Sequence, residues 1–221
     1  MKENVMSDAR ELLRGLNTLV GPFPLFDTSA SASTPKAQFL TWFEQAIAAG
    51  VREPHAMTLS TVDDDHPDAR VLILKDLDER GWHFAASAAS PKGVQLSQHP
   101  DVALTFYWPE VGRQVRMQGA AIALAHDVNA ADFLARPRGS RAGALMARQS
   151  DVLASPANLE AALSEQYERM ARQPDLVAPA WTVYAVRPER VEFWQGDTQR
   201  RHTRLRYRLT PAGWEKELLW P

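Results

Sequence analysis

The chain contains no cysteine, which excludes disulfides, thiolate catalysis and cysteine-ligated zinc or iron–sulfur centres and fits a cytoplasmic location. No apolar run approaches the ~18 residues of a membrane span, and the opening MKENVMSDAR has no apolar core of a signal peptide. A soluble, unprocessed chain with no membrane partner is expected. Neither sign of charge prevails: 25 basic and 27 acidic side chains leave a net charge of -2. Nothing global attracts nucleic acid, so any anion site must be local. Also missing are GxGxxG, the phosphate loop GxxxxGK and the nucleophile elbow GxSxG, and the six histidines do not fall at metal-ligand spacings. No metal site is expected.

What remains is a chain of 221 residues, 45% hydrophobic and 24% charged, enough for a packed core. A short helix is expected around Ala9 to Leu16, and then Gly21 to Pro35 carries three prolines and the run SASAST, an extended lead-in. Thr34-Pro35 supplies a helix cap and a first-turn proline, Phe39, Trp42, Phe43, Ala46 and Ile47 follow at helical spacing, and Gly50 ends the helix. From His55 to Leu124 the pattern changes to five strands, AMTLSTV, ARVLILKDL, GWHFAAS, DVALTFYW and RQVRMQGAAIAL, punctuated by DDDHPD, DERG and PEVG. A helix from Ser90-Pro91 to His99 interrupts them. Helices are expected at Asp127 to Ala135, Ser140 to Ala147 and Ala157 to Gln173, and strands return in TVYAV, RVEFWQG and RLRYRL. The fold class expected is mainly β with peripheral helices (α+β), a six- to eight-stranded antiparallel barrel. Residues 1–33 form a partly flexible lead-in and 34–221 a single domain.

Four groups of polar residues could carry chemistry, and each also has a plainer reading. Arg70 and Lys75 bracket the apolar run Val71, Leu72, Ile73, Leu74, as two anion-binding ends or as solvated strand-end charges. Ser90-Pro91-Lys92-Gly93 stands at a strand-to-helix junction, where free N–H groups, a hydroxyl and an ammonium could hold a phosphate, or where Ser90 simply caps the helix. Arg113-Gln114 opens a strand, with Gln114 facing a heteroaromatic edge or lying in a surface pair. After Trp194 and the turn-like Gly196-Asp197, Arg200, His202 and Arg204 alternate. If extended they share one face, a cation stripe that either an anionic ligand or acidic neighbours would offset.

Taken together and in order, REPHAMTLSTVD, ARVLILKDLDERG, SPKG, LTFYWPEVGRQVRMQG, FLARPRGS, ARQS and VEFWQG followed by RxHxR resemble the successive blocks of the pyridoxamine 5'-phosphate oxidase family, from about Thr34 to Pro221. The resemblance implies an FMN-binding split β-barrel working as a homodimer, with two FMN molecules at the subunit interface. It implies flavin contacts at Arg70, Val71, Leu72, Ile73, Leu74, Lys75, Lys92, Gln114, Gln149, Ser150, Trp194 and Arg204, of which Gln149 and Ser150 reach the flavin held mainly by the other subunit. It assigns substrate binding to Lys75, Arg136, Ser140, Arg200 and His202, with Arg200 and His202 as the catalytic pair. The implied reaction moves a hydride equivalent from a carbon beside an aromatic ring to the flavin, and the electrons then to O2, giving H2O2.

This sequence departs from the family pattern in places. Ala85-Ala86 stand where the family has Tyr-Thr, and Pro91 stands where it has a basic residue, which removes contacts to the FMN phosphate. Asp132 replaces a tyrosine that touches the substrate phosphate. Two like unit charges at ~4 Å repel by about 4 kcal/mol at an effective dielectric of ~20, unless Asp132 turns away. The substrate motif Arg-x-x-Tyr is absent from the N-terminal region, where LNTLVGPFPLFD resembles the lead-in of the phenazine-biosynthesis oxidases; Lys75, which that branch generally loses, is kept. Three readings follow: an oxidase of pyridoxamine or pyridoxine 5'-phosphate, an FMN oxidase of another reduced heteroaromatic such as a dihydrophenazine carboxylate, and a flavin-binding module without turnover.

Overall fold

A computed structural model of the protein describes residues 9–221. After the short helix α1 (Ala9–Arg14), the lead-in lies against the body of the protein. Phe26 meets Trp42 edge-on at 4.7 Å, and the Tyr207 hydroxyl donates to the Ala32 carbonyl at 2.7 Å. Helix α2 (Pro35–Ala48) begins where the cap was expected, the Thr34 hydroxyl accepting from the Ala37 N–H at 3.3 Å. Its apolar face, Phe39, Trp42 and Ala46, is buried in the core.

The nine-stranded sheet is antiparallel. Strands β1 (Ala56–Asp63) and β2 (His66–Ile73) form a hairpin about Asp64, which has a positive φ of 50°. Then come β3 (Asp76–Asp78), β4 (Gly81–Ser87), helix α3 (Pro91–Gln98), β5 (Asp101–Trp108) and β6 (Arg113–Ala123). Alternate residues of β1, β5 and β6 turn inward, and Met57, Leu59, Leu104, Phe106, Val115 and Met117 close the barrel core around α2. The run ARVLILKDL, expected as one strand, is two. At its corner the Leu74 N–H donates to the His55 carbonyl at 2.9 Å and the Lys75 N–H to the His83 carbonyl at 2.8 Å. The chain thus leaves one strand partner for another, and Lys75 sits at the turning point.

Helices α4 (His126–Leu134), α5 (Arg138–Leu145) and α6 (Pro156–Arg172) follow. They enclose a smaller core of Phe133, Ala142, Leu145, Met170, Ala178 and Trp181. TVYAV and RVEFWQG, expected as separate strands, are one strand, β7 (Trp181–Gln195). Its register with β6 shifts at Gln118/Gly119, opposite Pro188. A side chain on Gly119 would place its Cβ 2.0 Å from the Arg187 carbonyl oxygen, so only glycine fits this approach. The first half of β7 pairs with β4 and the second half with β8 (Thr203–Thr210). Strand β9 (Gly213–Leu218) completes the sheet. Among the described residues no helix is long and apolar enough to cross a membrane.

Candidate active site

A cleft of about 1060 Å³ opens between β2, the end of β4, the start of α3, helices α5 and α6, and the loop joining them. Of the residues singled out in the sequence, it gathers Val71, Leu72, Ile73, Lys75, Lys92, Arg136, Ser140 and Gln149. Ala85 and Ala86 also line it, together with Pro137, Met146, Leu153, Leu159 and Trp181, so the walls between the charged groups are largely apolar.

One polar centre forms at the start of α3. Ser90 caps this helix, its hydroxyl accepting from the Gly93 N–H at 3.4 Å. A Cβ on Gly93 would lie 2.4 Å from the Ser87 carbonyl oxygen, so glycine lets the helix seat against the end of β4. Lys92 is buried there and donates to the Gln149 Oε1 at 2.8 Å. Burial, with neighbouring Arg70, lowers its proton affinity, and Asp68 offsets part of that shift. Arg70 does not line the cleft. It stands behind, ion-paired with Asp68 and bonded to the Thr61 hydroxyl at 2.5 Å and the Gln95 Oε1 at 3.1 Å. A hydrogen bond from Gln95, and then Arg70, hold the Asp68 carboxyl below its ordinary range against the effect of burial.

The second centre lies at the Lys75 corner. The Lys75 ammonium is ion-paired with Asp132 Oδ1 at 2.5 Å. Asp132 Oδ2 accepts from the Trp181 indole N–H at 2.8 Å. The Arg136 guanidinium stacks over Trp181 at 3.9 Å, and its Nη2 donates to the Ser140 carbonyl at 3.4 Å. Arg136 Nε is buried with no acceptor. Burial lowers the proton affinity of this guanidinium, partly offset by Asp132. Arg70 and Lys75 lie five positions apart, about 16 Å of extended chain, so the two centres are separate.

The remaining expected residues lie elsewhere. Leu74 packs on the barrel core, and Ser150, exposed and at φ 73°, follows Gln149 outside the cleft wall. Gln149 itself shares the cleft of its own chain with Lys92, where the resemblance had implied a reach to the other subunit's flavin. Gln114, Trp194 and Arg204 are neighbours across β6, β7 and β8, and the His202 ring lies 4.8 Å from Trp194. Arg204 pairs with Glu192 at 2.9 Å.

Arg200, His202 and Arg204 do not form an extended stripe. Asp197 accepts from the Gln199 N–H at 2.7 Å and the Arg201 N–H at 3.3 Å, making a turn that puts Arg200 at φ 66°. Arg200 then reaches Thr18 of the lead-in at 3.2 Å, and His202 Nδ1 accepts from the Asp197 N–H at 3.1 Å, which leaves the ring proton of a neutral imidazole on Nε2. The cleft walls include none of Gln114, Trp194, Arg200, His202 and Arg204. Trp181 and Trp194 are separated by thirteen positions along β7, roughly 40 Å of strand contour.

Two residues of the site were missed. Trp181, which carries both Arg136 and Asp132, opens β7 as one more apolar residue and gives no sequence signal of its role. Arg113, read with Gln114 as a candidate surface pair, is 2% exposed. It donates to Gln195 at 2.9 Å and Gln45 at 2.5 Å and lies over Trp42 at 4.3 Å; burial pushes its pKa down to about 10. Its role is in the core. Asp76, Asp78 and His83 bring ligand-type atoms within 4.8 Å of one another, but Arg80 donates to Asp78 at 2.7 Å and lowers that carboxyl to about 2, against the effect of burial.

The family described as "Pyridoxamine 5'-phosphate oxidase" matches residues 43–195, and the "Pyridoxine 5'-phosphate oxidase C-terminal dimerisation region" matches residues 181–221. The chain is 44% identical over 188 residues to the pyridoxine/pyridoxamine 5'-phosphate oxidase of Rubrobacter xylanophilus, covering 85% of this chain and 87% of that one. Its fold is similar to that of PhzG from Burkholderia lata in complex with tetrahydrophenazine-1-carboxylic acid, with a TM-score of 0.84, 29% identity, and coverage of 91% of this chain and 100% of PhzG. An FMN-binding, pyridoxamine 5'-phosphate oxidase-related protein from Nostoc punctiforme shares the fold at a TM-score of 0.68 and 16% identity, over 86% of this chain and 100% of that one. Matched over most of its length by family and relative, and carrying the split barrel with its two charged centres, the chain belongs to the pyridoxamine 5'-phosphate oxidase family.

Proposed function

We propose that this chain is an FMN-dependent oxidase that converts pyridoxamine or pyridoxine 5'-phosphate to pyridoxal 5'-phosphate, with O2 as acceptor and H2O2 as product. The observation that carries the reading is the cleft itself. It holds two separate desolvated cations, Lys92 and Arg136, with apolar walls between them, one for the phosphate of each of two stacked heteroaromatic molecules. The stronger likeness to the B6 oxidase, 44% identity against 29% for PhzG, points the same way.

The residues present fit FMN. Lys92 and the capped N-terminus of α3, which Gly93 allows to seat against β4, would hold its phosphate, and Val71, Ile73, Ala85 and Ala86 would flank the ring. Bound there, FMN supplies the two-electron acceptor. Arg136, whose Nε lacks an acceptor, would bind the substrate phosphate, with Ser140 beside it. The substrate gives up two electrons and two protons at the carbon attached to its ring, and these reduce O2 to H2O2.

The active unit in this reading is a homodimer of one domain, residues 34–221, with residues 1–33 as its lead-in. Two observations support the dimer: the match to a dimerisation region over 181–221, and the absence of the tail cluster from the walls of its own cleft. From the partner, Arg200 and His202 would orient the substrate, while Gln114, Trp194 and Arg204 would complete the flavin site. The test is anaerobic mixing of FMN-loaded protein with pyridoxamine 5'-phosphate. Bleaching of the oxidised-flavin band, reversed by air, is expected; a yellow protein that does not bleach refutes the B6 reading.

A second reading, oxidation of a dihydrophenazine carboxylate, is favoured by one observation, the pairing of Lys75 with Asp132 beside Arg136. Oxygen uptake with such a substrate, and none with pyridoxamine 5'-phosphate, would establish it.

A further inference from the structure

The Lys75 corner belongs to two cavities. One is the cleft; the other is a neighbouring hollow of about 410 Å³ lined by Asp76, Arg80, His83, Asp127 and Asp132. Asp132 lines only the hollow, yet it binds the Lys75 ammonium at 2.5 Å. Both of its oxygens are engaged, Oδ1 by Lys75 and Oδ2 by the Trp181 indole at 2.8 Å. Turning the carboxylate away would strand a buried indole N–H, which is costly, so the pair is held in place. The same Trp181 ring carries Arg136. Two cations and one carboxylate therefore meet at this end of the cleft, and only Arg136 is left short of acceptors.

We infer that Asp132 is a positioning residue that sets substrate specificity: by engaging Lys75 it leaves the substrate's anionic group to Arg136 alone and weakens the preference for a doubly charged phosphate. This rests on the proposed oxidase reading of the cleft and deepens it. A phosphate dianion is best matched by two free cations, whereas a planar monoanion such as a carboxylate is matched by one guanidinium through paired N–H donors. With the Lys75–Asp132 pair formed, the site suits the second kind of group nearly as well as the first. Such a site takes a wider range of anionic heteroaromatics than one with both cations free.

The test uses FMN-loaded protein and a ligand pair that cannot be oxidised at the relevant carbon, 4-deoxypyridoxine 5'-phosphate and 4-deoxypyridoxine, titrated by calorimetry. Asp132→Asn is the informative variant because the amide keeps an oxygen for the Trp181 N–H while removing the charge that holds Lys75. It should bind the phosphorylated ligand about tenfold more tightly, with the unphosphorylated one within about twofold of its original affinity. Asp132→Asn combined with Lys75→Met should return the ratio of the two affinities to its original value. An unchanged ratio in Asp132→Asn, an equal change for both ligands, or a gain that persists in the double variant would overturn the inference. Because binding is read without turnover, a raised ratio in a protein that pyridoxamine 5'-phosphate does not bleach would sustain the inference and refute the B6 reading. Bleaching with an unchanged ratio would do the reverse.

Discussion

Replacing Arg136 by Met separates a binding cation from a structural one, because the two roles have opposite consequences for stability. The guanidinium lies 3.9 Å over Trp181, and in partly desolvated surroundings that contact is worth about 1–2 kcal/mol. Against it stands a buried Nε with no acceptor, a penalty of about 1–3 kcal/mol. Met is flexible enough to cover the indole face, so Arg136→Met should change the stability of the ligand-free protein by no more than about 1 kcal/mol, or ~2–4 °C in melting temperature for a chain of this size. Binding should suffer far more. Loss of a paired, charge-assisted contact to an anion costs about 3 kcal/mol, roughly a 100-fold rise in KM for pyridoxamine 5'-phosphate.

The assays are initial rates of oxygen uptake against substrate, and melting curves with and without 4-deoxypyridoxine 5'-phosphate. At ligand equal to ~100 times the wild-type Kd, linkage stabilises the wild type by about 2.7 kcal/mol and the variant by only about 0.4 kcal/mol. A variant destabilised by more than about 3 kcal/mol, with KM unmoved, would show that Arg136 serves the packing of α5 against β7 and would refute the reasoning.

Lys92→Ala should release flavin, weakening FMN binding about 10- to 100-fold while turnover at saturating FMN stays within a few-fold; fluorescence of free flavin after gel filtration and rates with added FMN measure the two. Glu192 is held between Arg116 at 2.8 Å and Arg204 at 2.9 Å. Burial, the largest single influence, raises its pKa, but hydrogen bonds from Arg204 and Arg116 and their charges outweigh it, so the folded pKa is lowered. The stabilisation is therefore complete above the ordinary carboxylate pKa and lost as pH falls through the folded value. Glu192→Gln should cost about 2 kcal/mol near neutral pH and almost nothing in strong acid, read from urea unfolding at both; a pH-independent cost would contradict the assignment. Val152 at the cleft rim is 98% exposed and Val71 on β2 is 67% exposed, apolar surface that a partner subunit would cover. Val152→Asp should shift sedimentation toward a single chain and weaken FMN retention, and an unchanged dimer would place the interface elsewhere.

Much of the barrel was legible because antiparallel strands with one buried face alternate in sequence, as Val102, Leu104, Phe106 and Trp108 do. The errors fell where one residue overrides the local pattern. Pro188 reads as a strand break, yet the bulge opposite Gly119 takes it without requiring its missing N–H, so β7 runs on. Arg200, His202 and Arg204 alternate like a strand, yet the Asp197 carboxylate gathers backbone N–H groups into a turn first. Lys75 looked like the end of one strand and is a corner between two. The cleft residues 71–75, 92, 136, 140 and 149 came from the ordered likeness to a family and from no single spacing. Asp132 could be flagged as a departure, but its bond to Trp181 spans 49 positions, beyond any local pattern.

The two charged centres are built alike. At one, Arg70 is engaged by Asp68 and Lys92 is left desolvated; at the other, Lys75 is engaged by Asp132 and Arg136 is left desolvated. Each carries two cations and one carboxylate, and in each the paired cation sits behind or beside the one that faces the cleft. A paired cation adds little attraction for an anion but fixes the geometry around its neighbour, whereas an unpaired buried cation is costly until an anion arrives. The attraction for both phosphates therefore rests on Lys92 and Arg136. This explains how the chain tolerates Ala85, Ala86 and Pro91 at the flavin end: the lost side-chain contacts are secondary to a lysine whose burial makes an incoming phosphate its best partner. It also orders the effects of substitution. Changes at Lys92 and Arg136 act through loss of attraction, while changes at Asp68 and Asp132 free a second cation and should strengthen phosphate binding at their respective ends.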